Sequence, residues 1–141
     1  QFDAMLADAR ELGLTYLFDR IAVQIYNTNM LSALNNIYRF PHYIYTLYQD
    51  DFNRTENALR ERAAFCAQWG IEGITMESSL YKSAYGDIAR EYGVRIYVHT
   101  VNDKEKARAL LESGVDGIYS DTLTPDSLER KKVRGDTSVR F

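Results

Sequence analysis

Five apolar runs of strand length recur along the chain, beginning near Ile21, Tyr43, Gly73, Arg95 and Gly117, and a helical pattern fills each gap. Parallel strands need a long crossover between them, and a helix is the usual one. Strands covered on both faces read as nearly continuous apolar runs, as Ile21-Ala22-Val23-Gln24-Ile25-Tyr26 does. Strict alternation with short connections therefore predicts an all-parallel sheet with right-handed crossovers. The clearest unit is Arg95 to Asp121. Ile96-Tyr97-Val98 ends in His99-Thr100, Asn102-Asp103 offers an N-cap, a charged helix runs through Leu111, and Gly114 stops it before a strand over Val115 to Asp121. Gly70 and Gly93 close two earlier helices in the same way, since glycine takes the left-handed C′ conformation at little steric cost.

The remaining elements follow from the same rules. Residues 1–13 carry an amphipathic helical pattern (Phe2, Met5, Leu6, Ala9, Leu12) that stops at Gly13, and 15–20 is a connection. Asn27, Thr28 and Asn29 can cap a helix over Met30 to Tyr38, with Leu31, Leu34 and Ile37 on one face, and Pro41 breaks it. Tyr43 to Tyr48 is a strand rich in aromatic and β-branched residues. A helix over 55–69 stacks Leu59, Ala63, Cys66 and Trp69 on its inner face, and Gly73 to Glu77 is the third strand. Ser78-Ser79 opens the next helix, with Tyr81, Ala84, Ile88 and Tyr92 turned inward. Thr124-Pro125 fits a last helix start, and 131–141 is a polar tail expected to fray.

At 141 residues, 45% hydrophobic and 26% charged, the chain suits one globular domain, 1–130. Its longest apolar runs fall far short of the roughly 20 residues of a membrane helix. A net charge of −3 with mixed signs gives no footprint for nucleic acid. The single cysteine, Cys66, excludes an internal disulfide and a cysteine metal site, and its neighbours Phe65 and Trp69 suggest burial. Gln1 stands inside an amphipathic pattern with no cap before it, which leads us to expect a piece of a larger unit whose compartment is not readable.

Two architectures accommodate this pattern. A five-stranded doubly wound sheet fits the length, although its ligand loop after the first strand would be Asn27-Thr28-Asn29, without glycine. The alternative is a stretch of an eight-stranded (β/α) barrel, complete at roughly 250 residues. Gln24, Thr46, Thr75 and His99 are polar residues inside apolar strands, which a barrel interior near its catalytic mouth tolerates better than a doubly covered sheet.

His99-Thr100-Val101-Asn102, followed by Gly114-Val115-Asp116-Gly117-Ile118-Tyr119-Ser120-Asp121, resembles the C-terminal end of the glycerophosphodiester phosphodiesterase family. Gln24-Ile25-Tyr26-Asn27 and Thr46-Leu47-Tyr48 look like the ends of earlier strands in bacterial members, so the likeness covers about residues 14 to 128. The resemblance implies an α/β fold: strands four to eight of a TIM (β/α)8 barrel of the PI-PLC-like phosphodiesterase type. It also implies metal-dependent hydrolysis of a glycerophosphodiester to glycerol phosphate and an alcohol, with calcium or magnesium as the divalent ion. The family's His-Arg pair, Glu-x-Asp pair, second His and further Glu have no counterpart here. The metal ligands and the acid/base histidines are thus expected outside this chain, which alone would be inactive. At His99 the family often has Trp.

Functional positions of such barrels lie at the C-terminal ends of strands. The expected substrate contacts are His99, Gln24, Tyr48, Glu77 and Tyr119, with no metal ligand in the chain. Asp121 is expected to shape the closing loop, and His42, ahead of its strand, to lie at the opposite, stability face. Tyr43, Tyr45 and Tyr48 form a cluster whose default role is strand packing. Arg134-Gly135-Asp136 matches an integrin-binding tripeptide too short to carry weight. The expected partners are the N-terminal half of the barrel, or another copy covering the sheet edges, and the diester itself. A non-enzymatic α/β binding module and a phospholipase C-like or sphingomyelinase D-like phosphodiesterase are the competing readings.

Overall fold

All five strands pair in parallel and in chain order, which decides between the two architectures. In the computed structural model, which describes residues 2–128, the sheet runs β1 (Ala22–Ile25), β2 (His42–Thr46), β3 (Gly73–Glu77), β4 (Arg95–His99) and β5 (Gly117–Ile118). A doubly wound sheet reverses direction at a switch point, placing helices on both faces. Here every crossover steps the same way. With uniform right-handed crossovers the helices collect on one face, as in a (β/α) barrel.

The helices are α1 (Phe2–Glu11), α2 (Thr28–Asn35), α3 (Glu56–Trp69), α4 (Ser83–Glu91), α5 (Lys104–Glu112) and α6 (Pro125–Leu128). Side chains of the three caps satisfy the exposed N–H groups at helix starts. Asn27 accepts from Met30 N, Thr55 from Ala58 N and Asp103 from Lys106 N. Gly70, Gly93 and Gly114 all have positive φ, as their role after helix ends requires.

Strand residues alternate between two faces. Val23 and Ile25, Tyr43 and Tyr45, Ile74 and Met76, Ile96 and Val98 are buried and face the helix layer. They pack with Leu31, Leu34, Leu59, Ala63, Cys66, Tyr85, Ile88 and Ala107 from the helices. The other face carries Gln24, Ile44, Thr46, Gly73, Thr75, Glu77, Arg95, Tyr97, His99 and Gly117, joined across strands by the register Gln24–Ile44, Thr46–Thr75–Tyr97–Gly117 and Glu77–His99. Gln24, on the first strand, hydrogen-bonds the Tyr119 side chain just past the last, so the sheet curls until its two ends face each other.

Several sequence expectations are corrected. Residues 15–20, read as a connection, form a 3-10 helix. The helix expected from Met30 to Tyr38 starts at Thr28, where Asn27 caps it, and ends at Asn35. The strand expected over Tyr43 to Tyr48 is His42–Thr46, and β5 is shorter than Val115 to Asp121. The helix expected at Ser78-Ser79 begins at Ser83, because Leu80 N bonds Glu77 O in a turn first. Its inner face is accordingly Tyr85, Gly86, Ile88 and Ala89, while Tyr81, Ala84 and Tyr92 are only partly buried. Trp69, placed on the inner face of α3, is 54% exposed at the helix end. Part of the expected domain, 1–130, and the tail with Arg134-Gly135-Asp136 lie outside the described residues.

Candidate active site

The C-terminal ends of β2, β3 and β4 bring Tyr48, Glu77 and His99 into one row. Glu77 and His99 are register partners on adjacent strands. Continuing the β2–β3 pairing by one inward position sets Tyr48 beside Glu77. The Tyr48 and His99 rings meet edge to face, with centroids 6.5 Å apart and planes at 66°. Tyr48 is 65% exposed, His99 is half-buried and Glu77 is exposed. The Glu77 carboxylate accepts from the Ser79 hydroxyl at 3.3 Å, and no base pairs with it among the described residues. The peptide between His99 and Thr100 is cis.

Behind this row lies an aromatic floor. Tyr97 and Tyr119 stack with planes 6° apart and centroids at 6.2 Å. Tyr97 also lies over two glycines: a Cβ at Gly73 would stand 2.6 Å from its ring, and one at Gly117 would stand 2.8 Å from it. No residue but glycine leaves room for the ring there. Burial raises the Tyr119 pKa, and the Gln24 hydrogen bond draws it part of the way back. Arg95, on the same face, hydrogen-bonds Tyr97, which raises its pKa further above the ordinary guanidinium value. Thr75 Oγ1 is buried on this floor with no hydrogen-bond partner among the described residues.

The five expected substrate contacts thus fall on one face. Tyr48, Glu77 and His99 form its mouth, and Gln24 and Tyr119 meet across its floor. The tyrosine cluster divides: Tyr43 and Tyr45 are buried under the helices, and Tyr48 projects at the mouth. His42 opens β2 at the far end, its Nδ1 2.6 Å from Glu72 Oε1. Arg95 and Tyr97 were missed by sequence reasoning. The available signal was period two, which puts Arg95 and Tyr97 on the same face as His99.

Two loops hold the mouth in shape. Asn102 Oδ1 accepts from Ser120 Oγ and from Asp121 N, each at 2.9 Å, and its Nδ2 donates to Asp121 Oδ2 at 3.2 Å. Asn102 therefore clasps the loop after β5 to the loop after β4, while Asp103 does the capping. Asp121 helps close that clasp. Asp116 Oδ2 accepts from Ile96 N at 2.7 Å and fixes the start of β5. After β2, the nearly buried Asp50 accepts three hydrogen bonds from Arg62, at 2.7 to 3.1 Å, and a fourth from the Tyr45 hydroxyl. Burial would push the Asp50 carboxyl up, but these bonds hold it below its usual value. Phe52 packs on Tyr85, whose hydroxyl donates to Arg54 O.

Sequential parallel strands, an outer helix layer and a polar, aromatic face opening at the strand C-termini define a segment of a (β/α) barrel. The sequence model of the Glycerophosphoryl diester phosphodiesterase family matches residues 4–124, and the chain belongs to that family. Among solved structures, a protein from Silicibacter pomeroyi described as a glycerophosphoryl diester phosphodiesterase superposes with a TM-score of 0.61 at 22% identity, covering 86% of this chain and 40% of its own. A second, from Agrobacterium tumefaciens and described in the same words, gives 0.58 at 11% identity, covering 84% and 45%. The chain therefore spans less than half the length of these structures. Curated proteins gave no match.

The family resemblance implies a divalent cation. Among the described residues no three His, Cys, Asp or Glu side chains gather closely enough to hold one. Glu77 and His99 are two donors on neighbouring strands, and a hard cation prefers six or more oxygens. This segment alone does not fit the ion.

Proposed function

We propose that this chain is the pocket-shaping C-terminal part of an enzyme that hydrolyses glycerophosphodiesters to glycerol phosphate and an alcohol. In this reading the acid/base histidines and the ligands of a calcium or magnesium ion belong to strands outside the sequence. The observation that carries the reading is the row Tyr48–Glu77–His99 at the strand C-termini of a chain from this family. That end is where (β/α) barrels hold their substrates.

The residues present bind and orient. His99 offers a ring nitrogen to a glycerol hydroxyl or a phosphate oxygen, where a tryptophan would offer only apolar packing and one N–H. Gln24 and Tyr119 hold each other across the floor, and Gln24 has a second amide hydrogen for a substrate oxygen. The Asn102 clasp fixes the loops on either side of His99, limiting how far the ring and a bound diester can drift apart.

The test is hydrolysis of glycerophosphocholine by the complete protein that carries this segment, with added calcium or magnesium. Hydrolysis with a KM raised roughly tenfold in His99→Ala supports the reading, since a lost hydrogen bond to a charged group is worth about that factor. No turnover of any diester in a panel, with His99→Ala binding diesters as wild type does, overturns it.

A further inference from the structure

We infer that the lower rim of the sheet, where α2 and α3 end, carries a binding site separate from the mouth, for a small flat organic anion of the aromatic carboxylate class. A cavity of about 320 Å³ opens there, between the ends of the two helices and the start of β2. It lies at the N-terminal end of the strands, opposite the Tyr48–Glu77–His99 row. Ligand pockets span roughly 300–1,000 Å³, so this volume suits a molecule of one or two rings. Its floor is made by the buried Leu31, Phe40 and Tyr43, and its rim by the exposed Asn35, Arg39 and Trp69. An added strand would pair at the edge strands β1 or β5, whereas this cavity lies over β2, within the sheet.

The rim supplies both halves of such recognition. Arg39 has no ion-pair partner among the described residues. Its charge reaches the Tyr43 phenol and counters part of the rise in pKa that burial imposes there. The Tyr43 hydroxyl donates to Asn35 Oδ1 at 3.0 Å, and the Asn35 amide hydrogens have no partner among the described residues. A guanidinium beside an amide suits a carboxylate, which accepts from both. Trp69 rests against Phe65, with ring centroids 6.3 Å apart, and leaves indole surface at the cavity rim. An indole left in water at a pocket edge gains by stacking on a second ring. Bare carbonyls at two helix C-termini would oppose an anion. Several are already taken: Ile37 N and Tyr38 N bond Leu34 O, Gly70 N bonds Ala67 O, and Ile71 N bonds Cys66 O.

The experiment titrates the complete protein with indole-3-acetate by calorimetry, with tryptamine and acetate as controls. Indole-3-acetate should bind saturably, with Kd raised about tenfold in Arg39→Leu, which removes a charge-assisted hydrogen bond. Trp69→Ala should raise Kd several-fold by removing the stacking face. Tryptamine has the same ring and the opposite charge, and acetate has the charge without the ring; each should bind about tenfold more weakly or worse. Both substituted side chains are exposed, so the variants should keep their fold, and circular dichroism checks that they do. In NMR spectra of the titration, the amide signals of Asn35, Arg39 and Gly70 should shift. No binding of indole-3-acetate, tryptamine binding as tightly, or a Kd unchanged in both folded variants would overturn the site. Shifts confined to Tyr48 and His99 would overturn it as well, since they would put the anion at the mouth.

Discussion

The two faces of the sheet are built from the same strands and obey different rules. Toward the helices, Val23, Ile25, Tyr45, Ile74, Met76, Ile96 and Val98 are apolar or aromatic and almost wholly buried. Toward the inside, Gln24, Tyr48, Glu77, Arg95 and His99 are polar or aromatic and retain access to solvent, with Thr46 and Thr75 buried among them. One residue of displacement along a strand moves a side chain from one regime to the other. The outer face supplies the free energy that holds the strands in place, and the inner face uses the resulting rigidity to position groups that gain nothing from burial.

That contrast can be tested from the largest expected effect downward. Ile96→Ala should cost about 3–4 kcal/mol in chemical unfolding, because Ile96 is fully buried and its removal leaves a cavity. A cost comparable with an exposed inner-face substitution such as Gln24→Ala would erase the distinction. Asp50→Ala should cost about 2–3 kcal/mol, as it strands Arg62 beside the core; the 19% exposure of Arg62 tempers the penalty of a broken buried pair. The same carboxyl predicts a pH effect. Its folded pKa lies below the ordinary 3.8, so its stabilisation is complete above that value and fades as the pH falls through the lower folded pKa. Acid unfolding of Asp50→Asn should lack that component.

Gly73→Ala should cost about 2 kcal/mol, since the new methyl meets the Tyr97 ring on one side and the Arg95 carbonyl on the other. A double variant with Tyr97→Ala should recover part of the loss, and failure to recover it would show that the ring is not what the glycine accommodates. The smallest effect belongs to Thr75→Val. Its Oγ1 is buried with no partner among the described residues, so an equal-sized apolar group should leave thermal stability unchanged or raise it by up to about 1 kcal/mol. A clear loss would mean that the hydroxyl has a partner in the intact protein.

The outer face was the legible one. Apolar runs, caps and closing glycines locate every strand and most helix ends, because local backbone preferences and burial act in the same direction there. Where they competed, the reading slipped. Ser78-Ser79 looks like a helix start, yet the chain makes a turn first and Lys82 takes the N-cap position, which rotates the inner face from Tyr81 and Ala84 to Tyr85 and Gly86. The polar residues noticed inside the strands, Gln24, Thr46, Thr75 and His99, do share the inner face. Their meeting places were not readable. Gln24 and Tyr119 are far apart in sequence and meet only because the sheet curls, and Asn102 looked like a cap when its amide instead joins two loops. Cys66 was legible in full: it is buried on α3, and burial pushes its thiol up to about 12, so it should resist alkylation at neutral pH until the protein unfolds.

The sequential order of the strands bears on how the protein is made. Within this segment each strand after β1 pairs with the one synthesised just before it. Such short-range pairing costs little loop-closure entropy, and folds rich in local contacts form quickly. On the ribosome each βα unit can add to the growing edge as it emerges. Within this segment the exposed front then advances from β1 to β5, and the Asn102 clasp can form once Ser120 and Asp121 have left the exit tunnel.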